Sequence, residues 1–151
     1  MTLSIACPLT LMPALDLFAA TVLMKPAHFK AAMLQGARSL TYTFHDDEGR
    51  AIAAAMLYPL PGDRCFELAF VCLPQIRDHL VSLIHAVHST RDQLVEDGPL
   101  SVRALVRASH LPGHRLAMLC GMKWAGRFGA FDLYVFEGKH GQLHQHPVQR
   151  S

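Results

Sequence analysis

The spacing of hydrophobic and polar positions changes several times along the chain, and each change marks an element. Residues 3–9 are apolar enough for a first strand. Over 11–24 the apolar positions 11, 14, 15, 18, 22 and 23 recur three and four apart, the stripe of an amphipathic helix. Pro26 closes that helix and opens a short one over 27–34, which Gly36 ends where a left-handed cap commonly sits. From Arg38 the period becomes two, with Leu40, Tyr42 and Phe44 on one face and Ser39, Thr41 and Thr43 on the other. That is the pattern of a half-buried strand. Residues 45–50 are polar turn material and 51–58 resume as a strand, so the two form a hairpin. Pro59, Pro61, Gly62 and Asp63 make the next turn.

Residues 64–73 are almost continuously apolar, interrupted by Glu67, as a central strand covered on both faces would be. The longest helix follows over 75–95, its stripe formed by Ile76, Leu80, Leu83, Ile84, Val87 and Leu94, and Asp97, Gly98 and Pro99 stop it. A strand over 100–107, a short helix over 113–120 and a final strand or bent pair of strands over 124–136 complete the order β-α-α-β-β-β-α-β-α-β. This predicts an α/β (α+β) domain over 1–138 and a polar, mobile tail over 139–151.

Composition narrows the function classes. A chain of 151 residues that is 51% hydrophobic and 17% charged has the core material of one folded domain. Its apolar stretches are broken by Pro13, Lys25 and Pro26, and later by His85, His88 and Arg91, short of the ~20 residues a membrane span needs. The N-terminus lacks the basic segment of a secretory signal, so a cytoplasmic protein without a membrane partner is expected. Cys7, Cys65, Cys72 and Cys120 form no C-x-x-C pair and read as reduced, packed thiols, not as nucleophiles. The net charge of +2 is scattered, which argues against nucleic acid as a partner.

The segment Val71-Cys72-Leu73-Pro74-Gln75-Ile76-Arg77 is similar to the strand-end pattern of the GNAT N-acetyltransferases, and the element order resembles theirs across residues 3–137. The resemblance implies a mixed, mostly antiparallel central sheet of about six strands flanked by about four helices. It also implies a site for acetyl-CoA. In that family the turn after the strand is rich in glycine, and its amides, with the positive end of the following helix, hold the coenzyme pyrophosphate. The residues that would line this site here are Val71, Leu73, Gln75, Ile76, Arg77, Asp78 and His79, with His110 and Arg115 on the later helix.

Two parts of the site, the turn and the later helix, depart from the family pattern. Asp78, Leu80 and Ser82 stand at the glycine positions, so a carboxylate and two Cβ atoms oppose the close approach of a phosphate. Downstream, the run from His110 to Met122 resembles the family's penultimate helix and Gly121 fits, but the tyrosine that protonates the coenzyme thiolate falls at Ala117. Glu67 matches the strand position that often carries the catalytic base; a structural ion pair with Arg64 or Arg103 is the alternative.

A narrower resemblance, to small GNAT-like proteins of short-tailed bacteriophages, rests on His110, Arg115 and Gly121 and on Gly129, Phe131 and Leu133. It implies a protein partner or virion components. Because two functional positions fail together, a non-catalytic, phage-type assembly or interaction protein is expected ahead of a divergent acyl-CoA-dependent N-acetyltransferase.

The remaining constellations read as structural. His85 and His88 share a helical face, and His140, His144 and His146 cluster in the tail, but no acid or cysteine nearby completes a tetrahedral set, so no metal is expected. Asp46, Asp47, Glu48 and Gly49 read as a hairpin turn, not a calcium loop. Trp124, Phe128, Phe131, Tyr134 and Phe136 are expected mostly in the core, with Trp124 or Tyr134 free to line a cleft.

Overall fold

A computed structural model describes residues 3–6, 17, 34 and 38–139. The expected helices over 11–24 and 27–34 lie outside the described residues apart from Leu17 and Leu34, as do Cys7 and the tail histidines. The strands are β1 (Ser4–Ala6), β2 (Leu40–His45), β3 (Ala51–Pro59), β4 (Cys65–Cys72), β5 (Leu100–Arg107), β6 (Lys123–Phe128) and β7 (Phe131–Gly138). A 3-10 turn over Pro74–His79 leads into helix α1 (Leu80–Glu96), and helix α2 (Leu111–Leu119) joins β5 to β6.

The strands form one seven-stranded sheet in the order β1-β2-β3-β4-β5-β7-β6. Every neighbouring pair is antiparallel except β4 and β5, which are parallel and joined through α1. The mixed, mostly antiparallel sheet expected from the resemblance is therefore present, with seven strands instead of about six. The extra strand comes from 124–136, which folds as a β6–β7 hairpin about Gly129, whose φ of 59° suits glycine.

The β2–β3 turn is built by Asp46. Its Oδ1 accepts from the amides of Glu48 (3.0 Å) and Arg50 (2.9 Å), and Gly49 takes a φ of 76°. The core lies between the sheet and the two helices in two clusters. One gathers Phe44, Ile52, Ala53, Ile76 and Leu83; the other gathers Leu57, Val95, Leu100, Val102, Ala117, Met122 and Tyr134.

Three expectations are corrected. β2 is not half-buried: Thr41 and Thr43 are 3% and 2% exposed, as hidden as Phe44. A threonine packs its methyl and bonds its hydroxyl locally, so alternation with threonine does not guarantee a wet face. β4, expected to be covered on both faces, is only half-buried along its length, and Ala69 is exposed. The helix expected over 75–95 is two pieces, because His79 at φ −122°, ψ 14° leaves helical geometry between the 3-10 turn and α1.

Candidate functional site

β4 and β5 run side by side for three registered pairs, Cys65 with Ser101, Phe66 with Val102 and Glu67 with Arg103, and then part. On its other edge β5 stays paired with β7 over its whole length, from Leu100–Gly138 to Arg107–Phe131. The sheet therefore opens into a V whose apex is Glu67–Arg103 and whose sides are residues 68–72 and 104–107. Leu73 donates its amide to Ile52 and Cys65 accepts from Leu60, so these odd-numbered residues bond toward β3. Strand alternation then turns the backbone N–H and C=O of Phe70 and Cys72 to the open side.

Glu67 sits at the apex. Arg103 engages its Oε2 through Nε at 2.9 Å and Nη2 at 2.8 Å, and both side chains are partly exposed. Arg64, the other candidate partner, points elsewhere: its guanidinium donates to the carbonyls of Pro99 (3.1 Å) and Leu94, closing the end of α1. Glu67, Ala69 and Val71 alternate onto the face opposite the helices, whereas Leu68 is packed with the helix-side core.

At the open end of the V, the 3-10 turn takes the place of a glycine-rich loop. A 3-10 turn bonds each amide to the carbonyl three residues back, as Ile76 does to Leu73 at 3.1 Å, so these amides face their own turn. Gln75, Arg77 and Asp78 are exposed, Val71 and Leu73 are half-buried, and Ile76 is in the core. His79 is 9% exposed at the N-cap of α1, and its Nδ1 is buried with no hydrogen-bond partner.

The helix α2 lies beside α1, with Leu116 packed on the Ile76–Leu83 cluster and Leu119 O accepting from His88 Nε2 at 2.8 Å. His110 caps α2: its Nδ1 accepts from the Gly113 amide at 3.2 Å. A Cβ on Gly113 would stand 2.6 Å from that nitrogen and 2.8 Å from Val106, so the cap requires glycine there. Arg115 is exposed on α2 and Ala117 is buried.

A constellation missed in the sequence lies next to Ala117. Tyr134, in the same buried cluster, donates its hydroxyl to His114 Nδ1 at 2.9 Å, because His114 Nε2 is committed to the carbonyl of Ala108 at 3.1 Å. Behind it Asp132 accepts from Trp124 Nε1 (3.1 Å) and from Arg127 Nε (2.9 Å) and Nη2 (3.1 Å). The signal was the alternation of β7, which puts Asp132, Tyr134 and Phe136 on one face. Phe128, expected in the core, is 62% exposed on the edge strand β6, and Trp124, left free to line a cleft, is 61% exposed there.

Cys72 and Cys120 are poor nucleophiles. Burial pushes the Cys120 thiol up to about 11, the Arg91 charge offsetting part of this, and burial also raises Cys72. Among the described residues no three metal-binding side chains converge, and no helix is long and apolar enough to cross a membrane.

No family model matches the sequence, and no curated protein matches it. Solved structures do match in shape. The ribosomal-protein-S18-alanine N-acetyltransferase from Escherichia coli superposes with a TM-score of 0.65 at 18% identity, covering 91% of this chain and 94% of that one. The chain has the GNAT fold. The PaiA N-acetyltransferase from Thermoplasma acidophilum, solved with coenzyme A, matches with a TM-score of 0.63 at 13% identity over 93% of this chain and all of that one. An IAA acetyltransferase from Bacillus cereus gives 0.60 at 13% identity, covering 91% and 99% of the two chains. These GNAT neighbours are acetyltransferases, and nothing in the likenesses supports a phage structural role or a non-catalytic state.

Proposed function

We propose that the protein is an acyl-CoA-dependent N-acyltransferase whose donor lies in the V between β4 and β5. The observation that carries this reading is the parting of the strands after Glu67–Arg103 within a sheet whose other ladders run on. Unpaired backbone groups on the open side of β4 suit the amide-bearing arm of coenzyme A, which can bond to them as a neighbouring strand would. In the reaction the acceptor amine attacks the thioester carbonyl, the C–N bond forms as the C–S bond breaks, the nitrogen gives up a proton and the sulfur takes one.

The strand half of the site fits the coenzyme, and the turn half meets its charge differently from a glycine loop. Arg77 supplies a cation there, and the unpartnered Nδ1 of His79 supplies a buried polar atom at the N-terminus of α1. Asp78 works against both. Glu67 takes the amine's proton: Arg103 holds Oε2, and neither guanidinium contact falls on Oε1. Ala117 has no proton to give the sulfur, so Tyr134, in the same cluster, takes that role by turning its hydroxyl proton from His114 Nδ1 to the sulfur. Glu67 and Tyr134 stand on opposite faces of the sheet, one for each proton transfer.

The test is acyl transfer to an amine, followed as free coenzyme thiol. Glu67→Gln is expected to lower kcat about 10²- to 10⁴-fold, with Tm nearly unchanged because a partly exposed ion pair contributes under about 1 kcal/mol. Tyr134→Phe is expected to lower kcat. Unaltered kcat in both variants would take these two residues out of the proton transfers, and no transfer by the wild type would return the scaffold to the non-catalytic reading.

A further inference from the structure

We propose that the cavity beneath α1 is an acyl-chain pocket, and that the coenzyme thioester this protein prefers carries a straight acyl group of about five or six carbons. The inference deepens the acyl-CoA reading and rests on it. The cavity measures about 90 Å³ and lies between α1 and the sheet. Leu68, the first β4 residue past the last pair, and Val102, beside the apex on β5, both line it. A donor entering the V from its open end points its far end at Glu67–Arg103. Its acyl group therefore arrives where the cavity begins.

The walls accept hydrocarbon and offer nothing to a polar group. Leu57, Leu94 and Phe136 form much of them. The Thr90 hydroxyl is spent on Ala86 O at 2.9 Å, and Arg91 is held by Asp92 at 2.9 Å and by Cys120 O at 3.3 Å. A carboxylate-bearing acyl group would lose its hydration there without gaining a free partner. Size sets the length. An apolar cavity of roughly 150 Å³ takes a benzene ring, so 90 Å³ takes about three or four carbons beyond the two of an acetyl group.

The experiment is a calorimetric titration of the full chain with acetyl-, butyryl-, hexanoyl-, octanoyl- and succinyl-CoA. Affinity is expected to rise about fourfold at best with each added methylene up to hexanoyl, to stop rising at octanoyl, and to be no better for succinyl than for acetyl. Ala55 lines the cavity from β3, so Ala55→Leu fills it; this variant, checked for folding by its melting curve, is expected to keep acetyl-CoA binding and lose the hexanoyl preference. Equal affinities across the wild-type series would overturn the acyl pocket and leave the acyl-CoA reading standing. A folded Ala55→Leu that retains the hexanoyl preference would do the same. Failure of every thioester to bind at millimolar concentration would overturn both.

Discussion

Asp132 accepts three hydrogen bonds, and their consequence is a pH dependence. The hydrogen bonds from Arg127, then that from Trp124, hold its carboxyl below the ordinary carboxylate value, against the opposing effect of its burial. A depressed folded value stabilises the native state fully above the unfolded value of about 4 and is lost as pH falls through the folded value. Melting temperatures measured from pH 7 down to pH 2 should therefore drop for the wild type below about pH 4. Asp132→Asn should melt lower at pH 7 and show a shallower acid dependence. Parallel curves for the two proteins would mean that Asp132 contributes no linkage. Asp46, held low first by the Arg50 amide, remains in both proteins as the internal control.

At the scale of elements, the stretch from Pro74 to Glu96 decides how a coenzyme could be held. Its apolar stripe is legible in sequence, but a 3-10 turn and an α-helix both bring residues three apart together, so the pattern does not show the break at His79. The hairpin and β5 were legible at their boundaries because period-two runs end at residues with their own turn chemistry, Asp46 and Gly49 in one case. The Glu67–Arg103 pair was one of two alternatives in the sequence, and only the parallel register of β4 and β5 selects it. His110 and Arg115 were legible as residues of the α2 region, but His110 serves there as a cap, which a histidine seldom does. The turn yields its own prediction. Asp78→Gly removes a carboxylate from the start of α1, and affinity for free coenzyme A should rise about fivefold at low salt, from roughly 1 kcal/mol for a charge at about 4 Å in water. The gain should shrink as salt rises; an unchanged affinity at every ionic strength would place the pyrophosphate away from this turn.

For the whole molecule, one parallel pair in an antiparallel sheet makes the V. α1 carries the chain back from β4 to lay β5 alongside it in the same direction, and β7 then holds β5 fast on its far edge. The opening is thus a property of topology. It survives in a sequence that shares only 11% to 18% identity with its structural neighbours and that replaces glycines and a tyrosine found in the family pattern. Retention of the scaffold says how a donor could be held; function depends on whether it is held. A calorimetric titration of acetyl-CoA into the wild-type chain tests this most directly. The account predicts saturable heat at one site per chain and a melting temperature that climbs with coenzyme concentration. No heat and no thermal shift at millimolar acetyl-CoA would contradict it.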